Sequence, residues 1–413
     1  MPKLFGDQSI ANQLLGVLAQ CRVTNEEGKE VFEAFAFTNI LSTLSSFASF
    51  PDNLSDLSGR EILSRAIVAV PNNTDLNVEN VSKHFYLELA ARNRMPPECY
   101  LLRIALSIAI KDYLPKRFRV GDAIVFTKGH SLISKLSPED LPPQAHLLYQ
   151  QQKEIDNVVV KVEGDDQNDS FINAIDTIDV VRAILNLCIN RKKAMRIPLG
   201  SHTPVNDCRL GPLFILYNRE GKTIQYWTDR RLQGSPIQRI DPPIDPQGNV
   251  IIGMLRRLYH HGCFQYLRRG LLLYVRALDS PDWDNAFLEC WRALEHLTLC
   301  SNVNGGDVIE RCMLTLPVDP IQKLELEHLR RVRNRLVHQA VDPPGSQTVL
   351  FQIKRYVELM LVFIMKNPDR FKSEKCIATY MTMKHEKTAL QSQIEGFSQG
   401  LSMARWRMKL LES

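Results

Sequence analysis

The six residues Arg333-Asn334-Arg335-Leu336-Val337-His338 place a permanent cation, an amide and an imidazole within two helical turns. A neutral imidazole can take the proton of a ribose 2′-OH, whose oxygen then attacks the adjacent phosphate. A guanidinium can stabilise the charge that gathers on the pentavalent phosphorus. That reaction needs RNA, since DNA lacks the 2′-OH, and it calls for no metal or other cofactor. Histidine suits the proton-taking part because its unperturbed pKa lies near neutrality, and a neighbouring arginine favours its neutral form. Asn334 could hold the phosphate or the imidazole through its amide.

An Arg-x4-His pair arises by chance roughly once in a chain of this composition, so its setting has to carry the reading. At 100° per residue, Leu326, Leu329, Val332 and Leu336 share the face expected to be buried, and Arg333 projects within the same apolar arc. An arginine on a buried face is costly unless a carboxylate or phosphate meets it. The preceding helix has an apolar face of Phe287, Cys290, Trp291, Leu294 and Leu297, with Glu295 at its edge, and Glu295 is expected to fix the Arg333 guanidinium. Glu327 is spaced to pair with Arg331 on the polar side. Two other pairs compete: Arg256 with His261, which reads as a solvated or phosphate-facing helix, and the looser Arg196 with His202.

The elements that must position these residues follow from spacing and breakers. Apolar periodicity predicts helices over Gln8–Gln20, 30–50 and 78–93, the last broken by Met95-Pro96-Pro97. Strands are expected within 100–110, 121–127 and 157–162, a helix over 170–191, and a hairpin over 212–227 around Asn218-Arg219-Glu220-Gly221. Residues 1–240 therefore read as an α+β region. Asp241-Pro242-Pro243-Ile244-Asp245-Pro246-Gln247-Gly248 reads as a linker, placed at 241–250. Beyond it the pattern is helical: one helix over about 251–278, and one from a Ser280 cap to about residue 299. A short helix near 307–316 and a long one from Asp319-Pro320 to about 341 follow. Another runs to about residue 366. A helical, basic tail covers 371–413.

Of the net charge of +5, residues 1–250 carry 28 basic and 29 acidic side chains, and residues 251–413 carry 23 and 17. The positive excess of the C-terminal part suits a phosphate-rich partner. Arg256, Arg257, Arg268, Arg269 and Lys354 are the side chains expected to guide an RNA backbone, with Lys384, Lys387, Arg405, Arg407 and Lys409 in the tail. Nine cysteines without a C-x-x-C pair argue for reduced thiols. His260, His261 and Cys263 read as helix-surface histidines and a buried thiol rather than as metal ligands. No phosphate-binding loop, H-E-x-x-H or dinucleotide fingerprint is present. The longest apolar run, Leu359 to Met365, is too short to span a bilayer, and the first residues show no secretory pattern. A cytoplasmic protein with no membrane partner is expected.

Two stretches resemble the HEPN superfamily, most closely its Apea-like branch. One is Phe287-Leu288-Glu289-Cys290-Trp291-Arg292-Ala293-Leu294-Glu295-His296-Leu297, similar to that branch's aromatic-rich helix with an Ala-Leu-Glu segment. The other is Arg333 to His338, which matches the superfamily's Arg-x4–6-His motif with a polar residue after the arginine. The resemblance covers roughly 250–370 and implies an all-α HEPN-like helical bundle, residues 251–370, that forms a homodimer. In the family the motifs of two protomers face each other as a composite, metal-independent endoribonuclease site, commonly used in phage defence or stress responses. Carried over, Arg333 and His338 would be catalytic, Asn334 would support them, and Glu295 would stand behind Arg333. By analogy, residues 1–240 would sense a phage-derived or cellular trigger. Ala340 stands where the toxin branch regulated by nucleotidyl transfer has a tyrosine, so that pairing is not expected. A different expectation from the same residues is a non-catalytic dimerisation and binding scaffold, in which Arg333 and Glu295 form a structural pair.

Overall fold

The computed structural model describes residues 3–412 except 25–29, 52–53, 72, 95, 109–113, 128–129, 139–140, 154, 191–203, 230–247, 299–304, 317–319, 340–345 and 384–386. The fold is mixed α and β, with an antiparallel sheet as its one large β element among the described residues.

Residues 4–92 form a helical unit with its own apolar core. α1 (Gln8–Gln20) starts at Asp7, whose carboxylate accepts from the Ser9 and Ile10 amides. A small hairpin, β1 (Arg22–Thr24) with β2 (Glu30–Phe32), leads into α2 (Ala34–Phe47). α3 (Asp56–Ala69) is capped by Ser55 and α4 (Val78–Arg92) by Asn77. Leu15, Leu44, Leu63, Ile67 and Phe85 close the core between them. The α1 and α4 expectations match closely. The helix expected over 30–50 is shorter, because its first residues pair as β2, and α3 was not foreseen.

The sheet has strand order β4-β5-β6-β3-β7-β8, every pair antiparallel. Its strands are β3 (Glu98–Leu106), β4 (Arg117–Val120), β5 (Ala123–Phe126), β6 (Asp156–Gly164), β7 (Leu210–Tyr217) and β8 (Thr223–Thr228). Side chains alternate between faces, as the pleat requires. Leu101, Val159, Leu213 and Ile215 meet α5 (Ser131–Lys135) and α6 (Pro143–Lys153) on one face. Leu102, Ile104, Val158, Val160 and Phe214 meet α7 (Gln167–Asn190) on the other. Burial on both faces explains why β3 and β7 read as continuous apolar runs rather than alternating ones.

The C-terminal helices follow, of which the first two pack onto α7. They are α8 (Gly248–Tyr259), α9 (Phe264–Ala277), α10 (Trp283–Leu297), α11 (Gly305–Met313), α12 (Pro320–Gln339), α13 (Ser346–Lys366), α14 (Glu374–Tyr380) and α15 (Lys387–Glu412). The helix expected over 251–278 is two. His261 is buried, its Nδ1 accepting the Cys263 amide and its Nε2 bonded to the Ile364 carbonyl, which ends α8 and starts α9. Gly262 is needed there, since a Cβ would lie 2.1 Å from the Lys372 carbonyl oxygen. α10 begins at Asp282, which accepts from the Asp284 and Asn285 amides, and not at Ser280.

The linker expected at 241–250 lies outside the described residues up to 247, and 248–250 open α8. It does not separate two cores. One apolar core runs from the sheet through α7 into α9, α10, α12 and α13. A buried ion network reinforces this continuity. Arg182, in the middle of α7 and fully buried, meets Asp179 at 2.7 Å and Asp279 at 2.8 Å, and donates to the Cys208 carbonyl. Burial alone would depress its pKa, but Asp279 and Asp179 hold it above the usual value. Asp279 sits at the corner between α9 and α10 and also accepts from Asn206. Arg276 of α9 reaches Asp179 at 2.9 Å, and Arg268 reaches Asp176 at 2.7 Å.

The helical unit 4–92 meets this body at a polar seam. Asp166 caps α7, accepting the Asn168 and Asp169 amides, and Arg92 pairs with both Asp166 and Asp169. Ser58 donates its hydroxyl to Asp169 at 2.8 Å. Among the described residues, replacing Arg182 by Ala leaves Asp179 with Arg276 alone and Asp279 with only the Asn206 amide to meet its charge. It should lower unfolding free energy by about 3–5 kcal/mol, read by urea unfolding. A loss under about 1 kcal/mol would show that the network is not a structural tie.

Candidate functional site

α12 carries the Arg333–His338 run, and its first half is clamped to α13. The buried Tyr356 donates its hydroxyl to Glu325 at 2.7 Å, and Arg355 reaches the same carboxylate at 2.6 Å. Burial and this hydrogen bond raise the Tyr356 pKa. Leu326, Leu329 and Val332 are buried as the spacing predicts. Over the last two turns the cover thins: Arg333 and Leu336 are half-buried, and Asn334, Arg335, Val337 and His338 are exposed.

Arg333 is therefore not buried as expected. Its side chain keeps 32% of its exposure, because α10 offers it the polar edge of its last turn instead of an apolar wall. That edge is Glu295. The carboxylate accepts from the indole Nε1 of buried Trp291 at 2.7 Å and lies 3.8 Å from Arg333 Nη2. Trp291 thus fixes the glutamate, and the glutamate faces the guanidinium. On its other side the guanidinium donates to Asn334 Oδ1 at 3.3 Å. The chain of contacts is Trp291, Glu295, Arg333, Asn334, with His338 one turn beyond Asn334 on the same helix. At 3.8 Å the ion pair is loose, so the guanidinium retains donors for an incoming anion.

The other spacing-based pairs resolve differently. Glu327 bonds Arg330 at 2.9 Å and not Arg331. Lys354 does not reach the surface. It is buried on α13, 3.0 Å from Glu358, whose carboxylate also accepts the Tyr274 hydroxyl. Its role is to neutralise a buried carboxylate, and the expectation that it guides RNA is corrected. Arg268 is half-buried and engaged with Asp176. Arg256 and Arg257 on α8 and Arg269 on α9 are exposed. In the tail, Lys387, Arg405 and Arg407 are exposed, and Lys384 and the Lys409 side chain lie outside the described residues. The looser Arg196–His202 pair is likewise outside them.

His261 is corrected from a surface to a buried histidine, with both ring nitrogens bonded to backbone. Cys263 is buried as expected and donates to the Phe371 carbonyl, and burial pushes its thiol up to about 11. His260 is exposed. Among the described residues, no three histidine, cysteine or carboxylate side chains are gathered to hold a metal ion. No helix of the described residues is long and apolar enough to cross a membrane.

One residue beside the site was not singled out from sequence. His296 follows Glu295 but turns to α9, its ring tilted 35° to that of Tyr266 with centroids 4.6 Å apart and bonded to the Tyr266 carbonyl at 2.9 Å. The bulk of the neighbouring Tyr266 and the register of α10 could have flagged it only with α9 in place.

No protein family, curated protein or solved structure compared with this chain matches it.

Burial lowers the His296 pKa from 6.5, so the unfolded chain binds more protons than the folded one as pH falls through that value. The stability contributed by neutral His296 is present above about pH 6.5 and is lost on acidification below it. Thermal midpoints should fall between pH 7 and 5 for the natural chain, and less steeply for His296→Gln. Equal slopes would remove His296 as the cause.

Proposed function

We propose that this protein is a metal-independent endoribonuclease whose site is built on Arg333 and His338 of α12. The observation that carries the reading is the contact chain on α10 and α12. An indole-anchored Glu295 faces the Arg333 guanidinium at an open edge of the helical layer, with Asn334 beside it and exposed His338 within one turn. At 3.8 Å from Glu295 the guanidinium is not saturated by its carboxylate. It is held and still open to an anion.

In the proposed reaction His338 takes the 2′-OH proton and later returns it to solvent. The 2′ oxygen bonds to the adjacent phosphorus, and the bond from phosphorus to the 5′ oxygen breaks, that oxygen taking a proton from water. The products are a 2′,3′-cyclic phosphate and a 5′-hydroxyl. Arg333 neutralises the charge on the phosphoryl oxygens, and Glu295 orients Arg333. Exposed Arg256, Arg257 and Arg269 are candidates to hold the RNA backbone. The resemblance to Apea-like HEPN proteins supports a homodimer in which two such sites face each other. The outward face of α12 suits that arrangement, since Ile321 and Leu324 are 72% and 70% exposed on the helix that bears the motif. Residues 1–240 are the candidate sensor of a phage-derived or cellular trigger, in a cytoplasmic defence or stress response.

A scaffold reading rests on the same contacts, because a Trp291–Glu295–Arg333 chain also braces α10 against α12. The test is cleavage of total RNA by the purified full-length protein in the presence of EDTA. Cyclic-phosphate ends are expected, with cleavage reduced about 10²–10⁴-fold in His338→Ala and about 10²–10³-fold in Arg333→Ala. Glu295→Gln should fall between Arg333→Ala and the natural chain. Cutting at a 2′-deoxy site would refute the mechanism. A growth effect in cells that His338→Ala retains would select the scaffold.

A further inference from the structure

α15 is an amphipathic helix whose tie to the rest of the chain among the described residues includes the hydrogen bond from Gln393 to the Thr382 carbonyl. None of its described side chains is buried, and a Cβ added at Gly396 or Gly400 would meet nothing within 4 Å. Yet Ile394, Phe397, Leu401 and Met408 lie 53–60% exposed along it. With Leu390 and Ala404 they fall at steps of four, three, four, three and four residues. That alternation is the 3.5-residue repeat by which one helix packs continuously along another. At 1.5 Å per residue, the 26 residues of α15 extend about 39 Å, ample for several layers of such packing.

We propose that α15 pairs with α15 of a second copy of this chain, antiparallel, through this stripe. The flanking residues argue for a helix and against an anionic surface. Between Lys387 and Arg405 there is no basic residue and one acidic residue, Glu395. A helix lying on an anionic membrane carries lysine and arginine along its polar face, and one tracking RNA carries them along its length. Charge also sets the sense of pairing. Parallel copies would gather the Arg405 and Arg407 guanidinium groups of both helices at one end. Antiparallel copies hold them apart and lay them beside the 391–395 turn of the other helix. In that register Leu390 meets Met408, Ile394 meets Ala404, and Phe397 meets Leu401, so large residues face smaller ones. Gly400 then sits next to the two-fold axis. There the missing side chain lets the two backbones approach, which accounts for a residue that weakens an isolated helix.

The pairing is argued from α15 and not from Arg333 or His338, and the experiment reads association and cleavage separately. Full-length natural chain is compared with Leu401→Glu and with Met403→Glu by sedimentation equilibrium, with circular dichroism as the folding control. Met403 is 69% exposed but lies off the stripe. The natural chain and Met403→Glu should show the same dimer, and Leu401→Glu should raise its Kd at least about 100-fold. A monomeric natural chain overturns the proposal. So does a dimer indifferent to Leu401→Glu, or one weakened equally by both variants. Cosedimentation with phosphatidylglycerol vesicles that requires Leu401, by a chain that stays monomeric, would assign the stripe to lipid instead. RNA cleavage by the same samples is scored separately, so loss of either result leaves the other readable.

Discussion

The fully buried guanidinium of Arg182 is the constraint around which this chain is arranged. A cation in that position is tolerable only if anions come to it, and two do, Asp179 on its own helix and Asp279 at the corner of α9 and α10, with the carbonyl of Cys208 just before β7 accepting a further hydrogen bond. Meeting that demand ties the sheet side of α7 to the helices that follow. It also fixes where α10 begins, since Asp282 caps that helix three residues beyond Asp279. The register of α10 in turn sets Trp291 inward and Glu295 at the edge. The position of Arg333 is thus referred back, through four contacts, to a charge buried on α7.

Charge is treated in opposite ways within this one layer of helices. Lys354 with Glu358, and Arg182 with its two aspartates, are closed systems, each neutralised at hydrogen-bond distance inside the core. The Arg333–Glu295 pair is wider and at the margin. The glutamate spends its shorter bond on an indole, and the arginine is held in place without being saturated. Such an arrangement costs little in stability, and an anion can complete it. That contrast separates a candidate site from its structural neighbours better than the motif does.

Much of the element order was legible in the sequence because it rests on local signals. The proline breaker after α4 and the turn at Asn218 to Gly221 lie at element ends. The apolar face of α10 appears residue for residue. What was illegible depends on partners distant in sequence. The break between α8 and α9 is made by His261 reaching the Ile364 carbonyl and by Lys372 crowding Gly262, while apolar spacing runs on across it. The burial of Lys354 depends on Glu358 together with Tyr274 of another helix. The half-exposure of Arg333 depends on how far neighbouring helices cover α12, which periodicity along one helix does not encode. The proline-rich run before α8 marks a change in local composition, whereas the core joins residues on both sides of it in sequence.

The strand order also dictates a sequence of events in synthesis. β3 lies between β6 and β7, pairing Leu102 with Val160 on one side and with Leu216 on the other. A chain emerging from its N-terminus therefore exposes the apolar β3 long before either neighbour exists, and Arg182 precedes Asp279 by almost a hundred positions. The core of residues 4–89 needs nothing later than itself, so it is complete while the sheet is still waiting. Along this sequence the self-contained core thus precedes the most non-local pairings. The nascent protein passes through a stage in which a finished helical unit carries an unpaired strand, and that strand is the point at which a holding chaperone would have most to cover.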